Sequence, residues 1–420
     1  MQEQKPGYFN LNFDQIQGIF GVFDGNGTGQ CSGIPIAYQS KLDQFKYESE
    51  LSYVIKPATQ DFIQITMNGF HASTYFCQAI AKNLQDILNT IGFCANVEEE
   101  EAKVRTMIKE YCLSMEKTWE QKTDQLQKMC ASVTTITNKK KTWYEMITTW
   151  FRGGEKPLSI PGTTASLIIP FWSRIKGDWD LYCVHLGNSS MVILNEKNEV
   201  IYSSDDHQAS NTSEQIRVSQ QSRIPLIKTE DGYINIMDIM QEIGRLPNAR
   251  NAQRGPGITR AFGEQQYRDF GLSAEPEIYK ISLSDAKTIV VASDGLWDGM
   301  EYHRLLEPDE KFSQNEKDRW AKQLIQLVSI ERFQVNKTYR EKAIQALVQE
   351  YDSRSEEIKK QGLADFLLQK KLAIAGKASR YSSDGSIREI KEYCLYRDKK
   401  ESKKNCELLL DNTTVIAVQF

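Results

Sequence analysis

The sequence predicts an α+β fold, and three observations carry that expectation. Short β-rich segments open the chain, fill its middle and close it. Amphipathic helical segments come in blocks between them. No alternation of strand, helix and strand runs through the chain, which argues against a parallel βαβ sheet. With 420 residues, 40% of them hydrophobic and 26% charged, the chain is long and apolar enough to bury a core.

The elements follow in order. Ile19 to Phe23 is a short uninterrupted apolar run, as expected of a buried strand. Asp24-Gly25-Asn26-Gly27-Thr28-Gly29 then reads as a turn or loop. From Ala72 to Ile91, residues Phe76, Ile80, Leu84, Ile87, Leu88 and Ile91 recur three and four apart, the spacing of an amphipathic helix. A second helix is expected from about Glu98, with Val104, Met107, Ile108, Tyr111, Cys112, Met115 and Trp119 on one stripe. The acidic run Val97 to Glu101 suits its positive N-terminal end. Past Pro161-Gly162 the pattern changes to short β-rich pieces at Thr164–Phe171, Leu181–Leu186, Ser190–Asn195 and Val200–Ser203, which read as an antiparallel meander. Ile278–Leu283 and Thr288–Ala292 are further strands, the second ending in Ser293-Asp294-Gly295. Glu307 to Ser402 is mostly charged and helical, and Thr413–Phe420 closes the chain as a strand entered through Asp411-Asn412.

Composition excludes several functions. Lys plus Arg is 52 against 56 for Asp plus Glu, a net charge of −4 that gives no general attraction to a phosphate backbone, so no nucleic acid partner is expected. No apolar run approaches the roughly 18 to 20 residues of a membrane helix, so no membrane span is expected. Met1 to Phe9 is polar and carries no signal-peptide stretch, which points to an intracellular, cytoplasmic protein. The 8 cysteines show no Cys-x-x-Cys pair and read as small buried residues in a reducing compartment. Only His71, His185, His207 and His303 are available for imidazole chemistry.

Three carboxylates share one setting. Asp24 ends Gly21-Val22-Phe23, Asp294 ends Val290-Val291-Ala292-Ser293, and Asp411 ends Leu408-Leu409-Leu410. A carboxylate at the end of a buried apolar segment costs desolvation energy unless it is compensated. Gathered together, three such ends would make a hard oxygen site for Mg²⁺ or Mn²⁺. Taken singly, each is equally a turn at a strand end.

The neighbourhoods carry a resemblance. Phe20-Gly21-Val22-Phe23-Asp24-Gly25-Asn26-Gly27, Gly162-Thr163-Thr164-Ala165, Leu186-Gly187-Asn188-Ser189-Ser190, Asp206-His207-Gln208, Thr259-Arg260-Ala261-Phe262-Gly263-Glu264, Ala292-Ser293-Asp294-Gly295-Leu296-Trp297-Asp298 and Asp411-Asn412-Thr413-Thr414-Val415 stand in that order along the chain. Together they resemble the metal-dependent protein serine/threonine phosphatases of type 2C (PPM-type). The resemblance implies two antiparallel β-sheets in a sandwich flanked by antiparallel helix pairs, as a single domain over 1–420. It implies a binuclear Mg²⁺/Mn²⁺ centre whose water attacks a phosphoserine or phosphothreonine of a phosphoprotein. By matching motif, Asp24, Asp294 and Asp411 would ligate metal, and Gly25 would contribute its carbonyl. The surplus over a family-sized core falls mostly in a helical insertion, approximately 301–405, which is expected to offer a surface to a protein partner or a larger assembly.

This chain departs from the family pattern where chemistry is done. The histidine after Asp-Gly, the family's proposed acid, is Asn26, and an amide cannot deliver a proton. The acid of Gly-Asp-Ser is Asn188, and the arginine after it is Ser190. Lys5 stands where an acidic metal ligand is expected, with Glu3 two residues away from that register. One metal site is therefore expected and a second is doubtful. The expectation is a pseudophosphatase acting by binding, and the alternative is a weakly active enzyme. Two rivals fail on pattern. Gly25-Asn26-Gly27-Thr28-Gly29 lacks the third glycine of a dinucleotide fingerprint, and no 40-residue repeat links Trp179-Asp180 to Trp297-Asp298 as a propeller would require.

Overall fold

The computed structural model of the chain describes residues 10–11, 19–138, 159–209, 211–223, 226–229, 232–235, 246, 255–297, 337–360, 362–370 and 414–419. Its strands are β1 (Asn10–Leu11), β2 (Phe20–Asn26), β3 (Thr28–Pro35), β4 (Val54–Pro57), β5 (Phe62–Asn68), β6 (Gly162–Ser173), β7 (Asp178–Leu186), β8 (Ser190–Leu194), β9 (Val200–Ser203), β10 (Leu226–Thr229), β11 (Gly232–Asn235), β12 (Phe262–Gly263), β13 (Glu277–Ser282), β14 (Thr288–Ala292) and β15 (Val415–Gln419). The principal helices are α1 (Gln39–Ser49), α2 (Gly69–Asn89), α3 (Val97–Asn138), α4 (Thr212–Gln221) and α5 (Lys337–Asp352).

Two five-stranded sheets dominate. In the first, β6 pairs with β2 on one side and with β7 and β12 on the other, and β13 lies beyond β7. The second runs β1-β15-β14-β8-β9, antiparallel except for the two-residue β1–β15 pair. Side-chain alternation then dictates the layers. Phe20, Val22, Ile168, Leu181 and Cys183 of the first sheet meet Met191, Ile193, Ile289, Val291, Ile416 and Val418 of the second in one buried cluster. On the opposite face of the first sheet, Leu167, Ile169 and Val184 pack against Phe76 and Ile80 of α2 and Val104, Ile108 and Trp119 of α3. On the opposite face of the second, Val192, Leu194, Val290 and Ala417 pack against Ile344, Val348 and Tyr351 of α5 and Leu367. The result is helix, sheet, sheet, helix. Each fully buried Leu, Ile or Val in these interfaces is worth about 1.5–3 kcal/mol of transfer free energy.

Two readings of the pattern are corrected. Asp24, Gly25 and Asn26 are not a loop. They continue β2, because β6 extends far enough to pair them with Thr164, Thr163 and Gly162. Only Gly27 turns, at φ 79°, before β3 begins. The expected meander is split between sheets: β6 and β7 form one hairpin, and the chain crosses at Gly187 (φ 101°) to the other sheet for β8 and β9. Within the stretch 301–405, some described residues join the core. Arg340, Ile344, Val348 and Tyr351 form a buried stripe of α5, and Leu363, Ala364 and Leu367 are buried beside it. The remainder of that stretch lies outside the described residues.

The three-stranded sheet β3-β5-β4 was not anticipated. Its signal is present in Ile63-x-Ile65-x-Met67, which alternates buried and half-buried along β5. Of the described cysteines, Cys31, Cys94, Cys112, Cys130 and Cys183 are buried and Cys77 is exposed. No helix among the described residues is long and apolar enough to cross a membrane.

Candidate active site

Strand register gathers the motif blocks at one end of the sandwich. Asp24 pairs with Thr164 across β2 and β6, and the next residue of β6, Ala165, pairs with Leu186 at the end of β7. The turn that follows carries Asn188 and Ser189. Thr164 Oγ1 lies 2.6 Å from Ser189 Oγ, which ties the turn back to the neighbour of Asp24. In the other sheet Ser190 pairs with Ala292, two residues before Asp294, and Val415 pairs with Ala292 from the far side. Asn188 Nδ2 donates to Asp294 Oδ2 at 2.8 Å, closing the path from one sheet to the other. Asp24 and Asp294 are therefore brought to the same end. Asp411 lies outside the described residues; three residues further on, Thr414 O accepts from Ser293 N at 3.1 Å and Thr414 N donates to Ser293 Oγ at 3.1 Å. Lys5 and Glu3 also lie outside the described residues.

Gly25 has a spatial reason to be glycine. A Cβ there would sit 2.2 Å from the carbonyl carbon of Gly69, so the backbones of β2 and of the first turn of α2 touch. Gly69 N donates to Gly27 O at 3.0 Å, fixing the hairpin against the helix. The Thr163 hydroxyl donates to Asp24 O at 2.9 Å.

Carboxylates such as Asp24 and Asp294 and a backbone carbonyl such as that of Gly25 are donors of the right hardness for Mg²⁺ or Mn²⁺. The fit is thin, however. Among the described residues no group of three His, Cys, Asp or Glu side chains stands ready to hold an ion. The neutral amide of Asn188 also occupies one oxygen of Asp294.

The other blocks are largely structural. Glu214 of α4 is buried, and burial pushes its carboxyl up, but hydrogen bonds from Arg260 and Arg217 outweigh that and hold it at about 2. Thr259 Oγ1 donates to the same carboxylate at 2.5 Å. Thr259 and Arg260 thus anchor their loop on α4. Trp297 Nε1 donates to Ala292 O at 2.9 Å, folding the chain after Asp294 back onto β14. Asp206 accepts from Ser190 Oγ and, at 2.8 Å, from Nη1 of the fully buried Arg340 on α5.

The described histidines are not placed as acids at neutral pH, and His303 lies outside the described residues. His185 and His207 stack with ring centroids 4.6 Å apart. Burial drives both down to about 3, helped in His185 by its neighbour His207 and in His207 by Arg260. His207 Nδ1 accepts from Gly187 N at 3.1 Å, so its Nε2 carries the hydrogen toward Glu277, 3.2 Å away. His71 Nδ1 accepts from Asn68 N at 3.0 Å at the start of α2, and burial lowers it too.

Two residues at this end escaped the sequence reading. Glu264 was seen only as part of a motif, and its contact with Asn26 depends on the intervening Gly162. Arg340 carried no signal at all, since its partner Asp206 lies 134 positions away.

Comparison with known proteins gives a consistent answer. A model of the family described as "Protein phosphatase 2C" matches residues 61–329, a span that contains Asp294 but neither Asp24 nor Asp411. The Arabidopsis thaliana protein "Probable protein phosphatase 2C 41" is 32% identical over 82 residues, 19% of this chain and 23% of that protein. The chain thus spans under a quarter of the length of that curated relative. Among solved structures, a serine-threonine phosphatase 2C from Toxoplasma gondii is similar at 13% identity and a TM-score of 0.31, with 79% of this chain and 94% of that one covered. A C. elegans sex determining protein is similar at 12% identity and a TM-score of 0.33, with 76% and 62% covered.

Proposed function

Since the chain belongs to the protein phosphatase 2C family, we propose that it is a member with an impaired catalytic site, a pseudophosphatase that works by binding. The observation that carries this reading is the hydrogen bond from Asn188 Nδ2 to Asp294 Oδ2 at 2.8 Å. An amide stands where the family pattern has an acid, and it takes up a carboxylate oxygen that a cation would need. Asn26 in place of the motif histidine and Lys5 in place of an acidic ligand act in the same direction.

In this reading Asp24, the Gly25 carbonyl, Asp294 and Asp411 hold one Mg²⁺ or Mn²⁺. In the family such ions activate water and offset charge on a transferring phosphoryl group. This chain's own residues provide a platform for it. Thr163 and Thr164 fix the end of β2, Ser189 and Asn188 fix the turn, and Trp297 fixes the segment after Asp294. The reading takes 1–420 as one domain and assigns the 301–405 stretch to binding a protein partner in the cytoplasm.

A second reading, weak Mg²⁺/Mn²⁺-dependent hydrolysis of phosphoserine or phosphothreonine in a phosphoprotein, draws on the convergence of Asp24 and Asp294 at one end. Mn²⁺-dependent hydrolysis of a phosphothreonine peptide, wild type beside Asp294→Asn, decides between them. Equal, blank-level rates in folded protein support the pseudophosphatase. Turnover above the variant overturns it.

A further inference from the structure

Glu264 is a buried carboxyl that neither reading uses. It follows β12 in a left-handed conformation, φ 49° and ψ 39°, which is uncommon for a side chain other than Asn, Asp or Gly. This turn aims the side chain across Gly162. A Cβ on Gly162 would lie 2.7 Å from Glu264 Cγ and 3.2 Å from Asn26 Oδ1, so the missing side chain is the gap in which the two residues meet. There the Asn26 amide hydrogen-bonds to the Glu264 carboxyl. Two oxygens remain: Glu264 Oε2 and Asn26 Oδ1 are both buried, and neither has a hydrogen-bond partner among the described residues. Two buried acceptors without a hydrogen carry the full cost of desolvation. One proton on Oε2 would satisfy both, because a carboxylic acid and an amide pair through one N–H···O and one O–H···O bond.

We infer that Glu264 is held as a neutral carboxylic acid and shares one proton with Asn26, at the position where the family pattern has its histidine.

Arg268, on the 3-10 helix Gln265–Phe270, is the cation that draws the carboxyl down, and its buried Nη1 has no hydrogen-bond partner among the described residues. Its Nη2 donates to Glu116 Oε1 of α3 at 2.7 Å and to the carbonyls of Ala261 and Gly263. Glu116 also accepts from Gly263 N at 2.8 Å, and burial raises its own carboxyl. Tyr267 faces Glu264 from the same 3-10 helix. On β2, Asp24 lies two residues from Asn26 on the same face and adds another carboxylate. His71 of α2 is pushed below its ordinary value by burial, as are His185 and His207. Burial outweighs Arg268 and the Asn26 bond and raises Glu264 to about 7. Glu264 therefore loses its proton near neutrality, a donor that the motif comparison alone would count as lost. The inference does not depend on whether the site turns over.

Infrared difference spectra of the full chain, titrated in metal-free buffer as wild type minus Glu264→Gln, test it. A protonated-carboxyl carbonyl band that disappears with a midpoint near pH 7, and is missing from the variant, is the expected result. No such band between about pH 6 and pH 8 means an ionised Glu264 and overturns the inference. If Glu264→Gln does not fold, Asn26→Asp gives the second test. Two facing carboxyls sharing one proton must raise the midpoint by at least about one pH unit. An unmoved midpoint rules out sharing. Turnover in the peptide assay would sink the pseudophosphatase reading and leave this one standing, and an ionised Glu264 would do the reverse.

Discussion

Arg340 Nη1 lies 2.8 Å from Asp206 Oδ1, and this pair bolts the outer helix α5 to the segment behind the candidate site. Arg340 is 1% exposed at its side chain and Asp206 10%, and the guanidinium also lies over the Trp297 ring, 5.6 Å from its centroid. Ser190, small where the family motif has arginine, hydrogen-bonds the same Asp206 oxygen.

Removing one partner of such a pair leaves an uncompensated buried charge. Arg340→Ala is expected to cost about 3–5 kcal/mol of stability, read as a lower urea midpoint. A change under about 1 kcal/mol would show that the pair is solvated in solution.

The backbone contact between Gly25 and Gly69 gives a second prediction. A Cβ at 25 would meet backbone atoms at 2.2 Å, and no side-chain rotation relieves that. Gly25→Ala is expected to destabilise by about 1–3 kcal/mol through forced backbone movement. A thermal melt within error of wild type would mean that the first turn of α2 stands further from β2.

Restoring an acid at 188 tests the metal account. Asn188→Asp removes the amide from Asp294 and adds a charge, so Mn²⁺ affinity measured by calorimetry is expected to rise about tenfold or more. Asp294→Asn is expected to weaken binding. Equal affinities in all three proteins would remove Asp294 from the site.

The histidine pair predicts acid lability. With native values near 3 for His185 and His207 against an ordinary 6.5, the unfolded chain binds more protons throughout that window. Stability is therefore fully present above pH 6.5 and falls as the pH drops toward 3. The slope is up to about 1.4 kcal/mol per pH unit for each histidine. His185→Gln should flatten the slope between about pH 6 and pH 5 in denaturant titrations. An unchanged slope would place the titrating groups elsewhere.

Joint replacement Asn26→His with Lys5→Asp, followed with the phosphothreonine peptide, is expected to raise hydrolysis above wild type by on the order of tenfold or more. If the double variant binds two Mn²⁺ and stays inactive, the lesion lies at neither position.

Much of the architecture was legible because it follows from local rules. The apolar stripes of α2 and α3 and the runs of β6, β14 and β15 encode burial through periods of 3.6 and 2, which neighbouring residues alone reveal. The motif blocks were legible in the same way, because each is a contiguous run of residues. What no local rule could supply was the partner of each group. That Asp24 remains in a strand depends on how far β6 extends. That α5 is a core layer depends on an unclaimed apolar face of the second sheet. That Asn188 caps Asp294, Arg340 answers Asp206, and Glu264 reaches Asn26 over Gly162 depends on contacts between residues 106, 134 and 238 positions apart. The sequence by itself determined which segments are apolar, on which face, and which family they belong to. The tertiary structure decided which polar groups share a buried space. In a low-dielectric interior the state of each such group is set by its neighbours, not by its own chemistry.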